Sequence, residues 1–274
     1  MSRPRAIWLP IAVLAALATT TASAAPVDQS GRFLLTGHFQ LRIDETVQKN
    51  ARIYMTESGL PQLLVVGGDL PSPIVVTAGQ GTVRGVKEEQ IVFPEDQPHV
   101  ARVPEEALQR EGPAKISGQR LYFHLPGGRR GIIEPRDPLV GVLSPERIVE
   151  ELPEFARNAR SYEPHIGQLR LLRTADAAEV HVFFGTWCRH CEKIVPQLVK
   201  LAQELEGEEL EIRFHALPEK ISENPLARQL RVKAVPTAIV MRGGMSADAV
   251  VSRLSGDQLK RPEAALAAAL FGGR

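Results

Sequence analysis

Cys188 and Cys191 are the only two cysteines in a chain of 274 residues, and two residues separate them. Four apolar residues precede the pair and predict a buried strand: Val180, Val182, Phe183 and Phe184. After the pair, apolar side chains recur at helical spacing, at Ile194, Leu198, Leu201 and Leu205. The sequence therefore predicts a loop that runs into a helix, with Cys188 at the helix N-terminus and Cys191 in the first turn.

A cysteine at a helix N-terminus is unusually acidic. Unpaired backbone amides and the positive end of the helix dipole stabilise its thiolate relative to the thiol. Cys188 is thus predicted to be the nucleophile. The more shielded Cys191 is predicted to resolve the mixed disulfide that Cys188 forms with a partner sulfur.

A structural disulfide and a metal site are the alternatives for such a pair. A disulfide between positions 188 and 191 closes too small a loop to restrict the unfolded chain, so it would add little stability. Structural zinc takes four ligands, whereas the pair supplies two, and His190 or His215 would be weakly supported additions. We expect a redox pair with no metal and no organic cofactor, the dithiol itself being the redox group.

Three further features accompany the cysteines: Trp187 directly before the first, Pro196 five residues after the second, and the segment Val235-Pro236-Thr237. With them the chain resembles the thioredoxin superfamily over roughly its last 110 residues, about the size of one domain. The resemblance implies a central mixed sheet flanked by helices. It also implies a cis-proline loop, in which Val235 and Pro236, together with Trp187, hold a substrate peptide beside the disulfide.

The two residues between the cysteines, Arg189 and His190, bear on the direction of electron transfer. Both can place positive charge near the sulfur of Cys188. Each pKa unit of thiolate stabilisation, ~1.4 kcal/mol, shifts a two-electron couple by ~30 mV toward oxidising. A histidine at the second position also resembles protein disulfide isomerases and periplasmic disulfide-forming oxidases. The simpler alternative is that both are solvated loop side chains.

Two features oppose an oxidising protein. Thioredoxins commonly carry an acidic or amide group six residues before the first cysteine, where this chain has Val182, so proton transfer is expected to differ. Glu192 offsets part of the positive charge. Relatives with a long N-terminal extension also include exported reductants that take electrons from a membrane donor. The direction stays open, with a lean toward oxidation.

The first 24 residues have the pattern of a secretory signal peptide. Arg3 and Arg5 precede an apolar run at 7–18, and Ala22-Ser23-Ala24 is a small-residue cleavage site. The run is shorter than the ~20 residues that span a bilayer, and Pro10 interrupts it. We expect cleavage before Ala25, no membrane insertion afterwards, and a periplasmic or secreted protein.

The net charge is +1, from 33 basic and 32 acidic side chains. Such a balance gives no electrostatic basis for binding nucleic acid or an anionic membrane surface. The expected partners are therefore protein thiols or disulfides, with a membrane redox protein as one candidate electron partner.

The chain is predicted to be an α/β protein, with a thioredoxin-like region at 165–274 after a β-rich domain at 25–140 and a helical linker at 141–164. In the β-rich part, strands are predicted at 33–43, 51–55, 62–66, 74–77, 91–93 and 121–125, and a short helix at 104–110. His38, His99 and His124 follow no metal-ligand spacing there.

The linker is expected to begin with Ser144 as an N-cap and Pro145 at the first helical position, and to bend at Pro153. Beyond it, helices are predicted at 166–172, 225–231 and 263–271, and strands at 180–184, 210–216, 238–241 and 250–254.

The sequence therefore predicts an exported thiol:disulfide oxidoreductase that exchanges disulfides with proteins. Its β-rich half has no catalytic constellation and is expected to recruit a partner or form a homodimer. The rival hypothesis is a non-enzymatic binding protein, such as a chaperone or metal-delivery module that uses a thioredoxin-like fold.

Overall fold

Two β-sheets organise the part of the chain that the computed structural model describes, residues 31–244 and 246–272. The predicted signal peptide at 1–24 lies outside the described residues. Gly31–Arg274 form one compact unit. The domain boundaries at 140 and 164 remain predictions.

The first sheet has eleven strands, and every neighbouring pair is antiparallel. In chain order they are β1 (Arg32–Thr36), β2 (Phe39–Ile43), β3 (Thr46–Val47), β4 (Arg52–Thr56), β5 (Gln62–Val66), β6 (Ile74–Thr77), β7 (Thr82–Gly85), β8 (Val100–Arg102), β9 (Gln109–Ser117), β10 (Arg120–His124) and β11 (Arg130–Pro135). Their order in the sheet is β3-β2-β11-β10-β9-β7-β6-β5-β4-β1-β8.

This sheet buries apolar residues on both faces. Leu41, Val65 and Phe123 share one core, although they come from distant strands. Leu64 and Val66 belong to a second core. Because side chains alternate between the faces of a strand, β5 is covered on both sides, which explains its continuous apolar sequence.

Three predictions in this region were wrong in detail. The single strand expected at 33–43 is two strands, because the chain bends at Gly37 and His38 between β1 and β2. The strand expected at 91–93 makes one isolated bridge, from Val92 to Arg102. The helix expected at 104–110 is a single 3-10 turn, Glu105–Ala107, after which the chain enters β9.

The second sheet has five strands: β12 (Gly141–Leu143), β13 (Ala178–Phe184), β14 (Leu210–Ala216), β15 (Thr237–Met241) and β16 (Val250–Ser255). Their order is β12-β14-β13-β15-β16. Only β13 and β14 are parallel; the other neighbours are antiparallel. The predicted mixed sheet is confirmed.

Six α-helices accompany this sheet in the described residues: α1 (Pro145–Glu151), α2 (Pro153–Arg160), α3 (Ile166–Leu172), α4 (Arg189–Glu204), α5 (Pro225–Gln229) and α6 (Pro262–Phe271). On one face of β13, Val182 and Phe184 pack with Leu198 of α4. On the other face, Phe183 packs with Ala227 of α5. Helices therefore flank both faces, as predicted.

Residues 141–164, predicted as a helical linker, contain β12 in addition to α1 and α2. The backbone of β12 pairs with the edge strand β14, so this segment extends the second sheet. The side chain of Ser144 accepts a hydrogen bond from the backbone of Arg147 and caps α1. Pro153 begins α2 at its first position and separates it from α1.

Candidate active site

Cys188 is the N-cap residue of α4, with an extended backbone, and the helix begins at Arg189. The Cys188 sulfur accepts a hydrogen bond from the backbone N–H of Cys191 at 3.2 Å. It lies 3.6 Å from the carbonyl oxygen of Val235, to which the protonated thiol can donate. Cys188 is half-buried, whereas Cys191 is fully buried, and both are free thiols.

The two thiols differ strongly in acidity. A hydrogen bond with the side chain of Cys191 lowers the pKa of Cys188 to about 6, and the backbone N–H groups of Cys191 and His190 and the charge of His190 act in the same direction. The pKa of Cys191 is raised, by the same side-chain hydrogen bond and by burial. The geometry therefore favours a thiolate at the exposed sulfur and a protonated thiol at the buried one.

Trp187 lies on the exposed side of the motif and keeps 38% of its surface accessible. Its indole N–H donates to the carbonyl oxygen of Leu217 at 3.1 Å, which fixes the ring against the end of β14. The ring packs over Gly185, where an added Cβ would lie 2.6 Å from the indole nitrogen. The chain can carry this tryptophan in this position because residue 185 has no side chain.

The loop before β15 stands beside the sulfur of Cys188. The peptide bond between Val235 and Pro236 is cis. The hydroxyl of Thr237 donates to the carbonyl oxygen of Ala234 at 2.8 Å, a contact within the loop. Val235 and Cys188 both pack against the larger apolar core. The structure thus places the loop of Val235 and Pro236 beside Cys188.

Arg189 and His190 are both exposed in the first turn of α4. The charge of His190 contributes to the lowered pKa of Cys188. It makes the same kind of contribution at Asp257, whose pKa is lowered mainly by the hydrogen bond and charge of Lys260. Val182, at the position where thioredoxins commonly carry a polar group, is fully buried in the same core as Cys191. The apolar side chain at 182 cannot accept a proton from Cys191.

Sequence reasoning missed a polar contact between the β-rich region and the active-site helix. The Nε2 atom of His38 lies 3.6 Å from a carboxylate oxygen of Glu154 and 3.7 Å from one of Glu192. Glu192 belongs to α4 and directly follows Cys191. No local pattern predicts this contact, because it joins residues more than 100 positions apart through the bend between β1 and β2.

A buried pair of histidines was missed as well. His181 Nδ1 lies 2.9 Å from His215 Nε2, and His181 Nε2 lies 2.9 Å from Glu179 Oε2. Burial, followed by the charge of His181, lowers the pKa of His215 to about 4. The pair sits on the face of the sheet that Phe183 shares, opposite the core that contains Cys191.

In residues 31–244 and 246–272, no group of three or more His, Cys, Asp or Glu side chains is arranged to hold a metal ion. His38 lies beside the carboxylates of Glu154 and Glu192, and His99 contacts the guanidinium of Arg160. None of the helices in the same part of the chain is long and apolar enough to cross a bilayer.

Comparison with known proteins identifies the class of the C-terminal region. The family model described as Thioredoxin matches residues 170–263. Thioredoxin from Chlorobaculum thiosulfatiphilum is 28% identical over 81 residues, which are 29% of this chain and 70% of that protein. The C-terminal region is therefore a thioredoxin-superfamily region, with β13, α4, β14 and β15 as its central elements.

Two further relatives match shorter shares of their own length. Thioredoxin from Staphylococcus aureus is 37% identical over 70 residues, 25% of this chain and 62% of that protein. Protein disulfide-isomerase from Gallus gallus is 37% identical over 62 residues, 23% of this chain and 12% of that protein. Together the thioredoxin-like fold and these relatives support a thiol:disulfide oxidoreductase in general.

Proposed function

We propose that this protein is an exported thiol:disulfide oxidoreductase that exchanges disulfides with protein partners through Cys188 and Cys191. The observation that supports this most is the acidity of Cys188 at the start of α4. Its sulfur accepts the N–H of Cys191 at 3.2 Å, and its pKa is lowered to about 6. At neutral pH this sulfur is mainly a thiolate, the form that attacks disulfides.

The exchange has two steps, each of which forms one S–S bond and breaks one. The thiolate of Cys188 attacks a partner disulfide, a bond forms between Cys188 and one partner sulfur, and the other partner sulfur leaves and takes up a proton. Cys191 then loses its proton and attacks the sulfur of Cys188. The second partner thiol is released, the Cys188–Cys191 disulfide forms, and two electrons have passed to the partner.

Reversal of these steps transfers a disulfide to a reduced partner, and we infer that this oxidising direction is favoured. Lowering the pKa of Cys188 stabilises the dithiol form relative to the disulfide, which makes the disulfide a stronger oxidant. His190 contributes to this effect through its charge. Arg189, exposed beside it, adds positive charge to the same surface. The dithiol is the redox group, and no other cofactor takes part in the proposed reaction.

The substrate segment is proposed to lie between Trp187 and the loop that contains Val235 and Pro236. The carbonyl of Val235 stands 3.6 Å from the Cys188 sulfur. Protein substrates fit the name of the Gallus gallus relative, protein disulfide-isomerase. Export to the periplasm or beyond is proposed from residues 1–24, and a membrane redox protein would then exchange electrons with the Cys188–Cys191 pair.

Replacement of each cysteine in the full chain tests this function. Cys188→Ser is expected to abolish both insulin reduction and oxidative refolding of a reduced test protein. Cys191→Ser is expected to keep the first step and to accumulate a mixed disulfide between Cys188 and the substrate, visible by non-reducing electrophoresis and mass spectrometry. Unchanged activity in Cys188→Ser would instead support the rival hypothesis of a non-enzymatic binding protein.

A further inference from the structure

A cleft opens beside Trp187, between the eleven-stranded sheet and the thioredoxin-like region. Its volume is about 260 Å³. Residues that line it from the first side include His38 and Gln119, and residues from the other side include Glu154, Trp187 and Glu219. The first sheet therefore supplies one wall of a cavity whose other wall belongs to the active-site region.

The position of the cleft relative to the nucleophile suits a partner chain. Trp187 directly precedes Cys188 in the sequence. An extended chain advances ~3.3 Å per residue. When a partner's reactive sulfur meets Cys188, a partner residue a few positions away can therefore extend past the indole of Trp187 and into the cleft. The cavity is smaller than the ~300–1,000 Å³ typical of small-molecule pockets, and its size fits one or two side chains.

The free charges on the cleft are negative. The carboxylates of Asp137 and Glu219 are exposed and form no hydrogen bond or ion pair within the described part of the chain. Arg136 also lines the cleft, but its guanidinium is bound to the carbonyl and the carboxylate of Glu151. The basic side chains of the motif, by contrast, lie beyond Cys188 in the first turn of α4.

The wall formed by the first sheet is fixed in place. One carboxylate oxygen of buried Glu154 accepts the hydroxyl of Thr36 at 2.6 Å and the backbone N–H of Gly37 at 2.9 Å. Arg157 of the same helix donates to the carbonyl oxygen of Leu35 at 2.7 Å. These contacts hold the bend between β1 and β2, and with it His38, against α2.

We propose that the cleft binds a lysine or arginine that flanks the reactive cysteine of the protein partner, so that the β-rich sheet forms part of the substrate site. This inference rests on the proposed function, since it names the partner chemistry of the same site. Asp137 and Glu219 attract the cation, and the face of Trp187 favours a cation as well. A partner that places an acidic residue in the cleft is repelled by the carboxylates of Asp137 and Glu219.

The test measures how fast the reduced full chain reduces disulfide-linked peptides. The peptides come in pairs that carry either lysine or glutamate at one position near the cysteine, and that position is varied over three residues on each side of the cysteine. We expect the lysine peptide to react faster by on the order of threefold to tenfold at low salt, with a smaller ratio at ~1 M salt. Gln119→Lys should slow the lysine peptide by roughly threefold and speed the glutamate peptide. Gln90→Lys, a matched change at an exposed site that does not line the cleft, should leave both rates unchanged.

Equal rates for the two peptides at every position, or equal effects of Gln119→Lys and Gln90→Lys, would overturn the inference. Bis(hydroxyethyl) disulfide, which is small and uncharged, reports on the cysteine chemistry alone. If the wild-type chain reacts with it while the peptides show no charge preference, the inference fails and the proposed function stands. If no disulfide reacts with Cys188, both fail.

Discussion

The two sheets of this chain differ in the kind of polar group that they bury. In the thioredoxin-like region, the thiol of Cys191 and the imidazoles of His181 and His215 are buried. In the β-rich region, the buried carboxylate of Glu134 is ion-paired with Arg42 and Arg120, and other ion pairs, such as those of Arg129 with Asp44 and Arg130 with Glu45, lie on the surface. Exposed pairs of this kind contribute ~0–1 kcal/mol, so the apolar cores hold that sheet together.

This difference separates two tasks. A buried sheet and a helix N-terminus fix the acidity of Cys188, because a thiolate needs donors at defined positions. The first sheet reaches the same site through its bend at Gly37 and His38 and through exposed positions such as Gln119 and Pro135. Chemistry is thus expected to depend on the second sheet, and the choice of partner on the contact between the two sheets.

The largest effect on stability is expected at the contact between α2 and the bend that joins β1 to β2. Glu154→Ala removes the acceptor of the buried Thr36 hydroxyl and of the half-buried Gly37 N–H; the hydroxyl then keeps only the hydrogen bond that it accepts from the backbone N–H of His38. Each lost hydrogen bond to a carboxylate is worth ~1.5–3 kcal/mol, so the loss of two is expected to lower the free energy of unfolding by about 3–6 kcal/mol. Urea unfolding measures it. Glu150→Ala, an exposed change in α1, is the control, and equal stability of the two variants would show that Glu154 does not join the sheets.

Acid should weaken the thioredoxin-like region through its buried histidine. The pKa of His215 is lowered to about 4, against about 6.5 in the unfolded chain. The unfolded state therefore takes up a proton first, and stability is lost as the pH falls from 6.5 to 4, by about 3 kcal/mol from this group. Urea unfolding across this range should show a steeper loss in the wild type than in His215→Gln.

The control for this pH dependence is His124→Gln, an exposed change in β10 of the other sheet. It should keep the wild-type slope. If His215→Gln and His124→Gln lose the same unfolding free energy between pH 6.5 and 4, the acid sensitivity does not come from His215. The proposed difference in acid sensitivity between the two sheets is then wrong.

A smaller effect is expected at Gly185, under the indole of Trp187. An added methyl group would lie 2.6 Å from the indole nitrogen, so Gly185→Ala must displace the ring. Overpacking costs about 1–3 kcal/mol, and insulin reduction should fall as well, because the ring lies next to Cys188. Gly112→Ala in β9, where no atom lies within 4 Å of the added carbon, should change neither property. Full activity and stability of Gly185→Ala would mean that the ring position is unimportant.

The sequence predicted the second sheet better than the first because its signals are local and strong. The apolar run of β13, the cap of Ser144 on α1 and the proline at the start of α5 each specify a boundary within a few residues. In the first sheet, β9 has mostly exposed side chains and therefore no alternating apolar pattern. The break between β1 and β2 packs against α2, far along the chain: the Gly37 N–H binds Glu154, and a Cβ added at Gly37 would lie 3.1 Å from Pro153.

The residues of the short motifs in the site could be predicted from the sequence, because these signals are also local. Cys188, Trp187 and Pro236 belong to short patterns that the sequence displays directly. The contact between His38 and Glu192, and the pairing of His181 with His215, depend on which distant strands become neighbours. Phe183 pairs with His215 only because β13 and β14 are parallel in this register.

The central claim is that Cys188 is a stabilised thiolate at neutral pH, and its rate of alkylation by iodoacetamide as a function of pH tests this most directly. In the reduced full chain, with the modified residue identified by mass spectrometry, we expect the rate to follow ionisation of Cys188 with a midpoint at pH about 6. Below that midpoint the rate should fall about tenfold per pH unit, because the thiolate is protonated. A midpoint near the ordinary cysteine value of ~8.5, or modification of Cys191 before Cys188, would contradict the account.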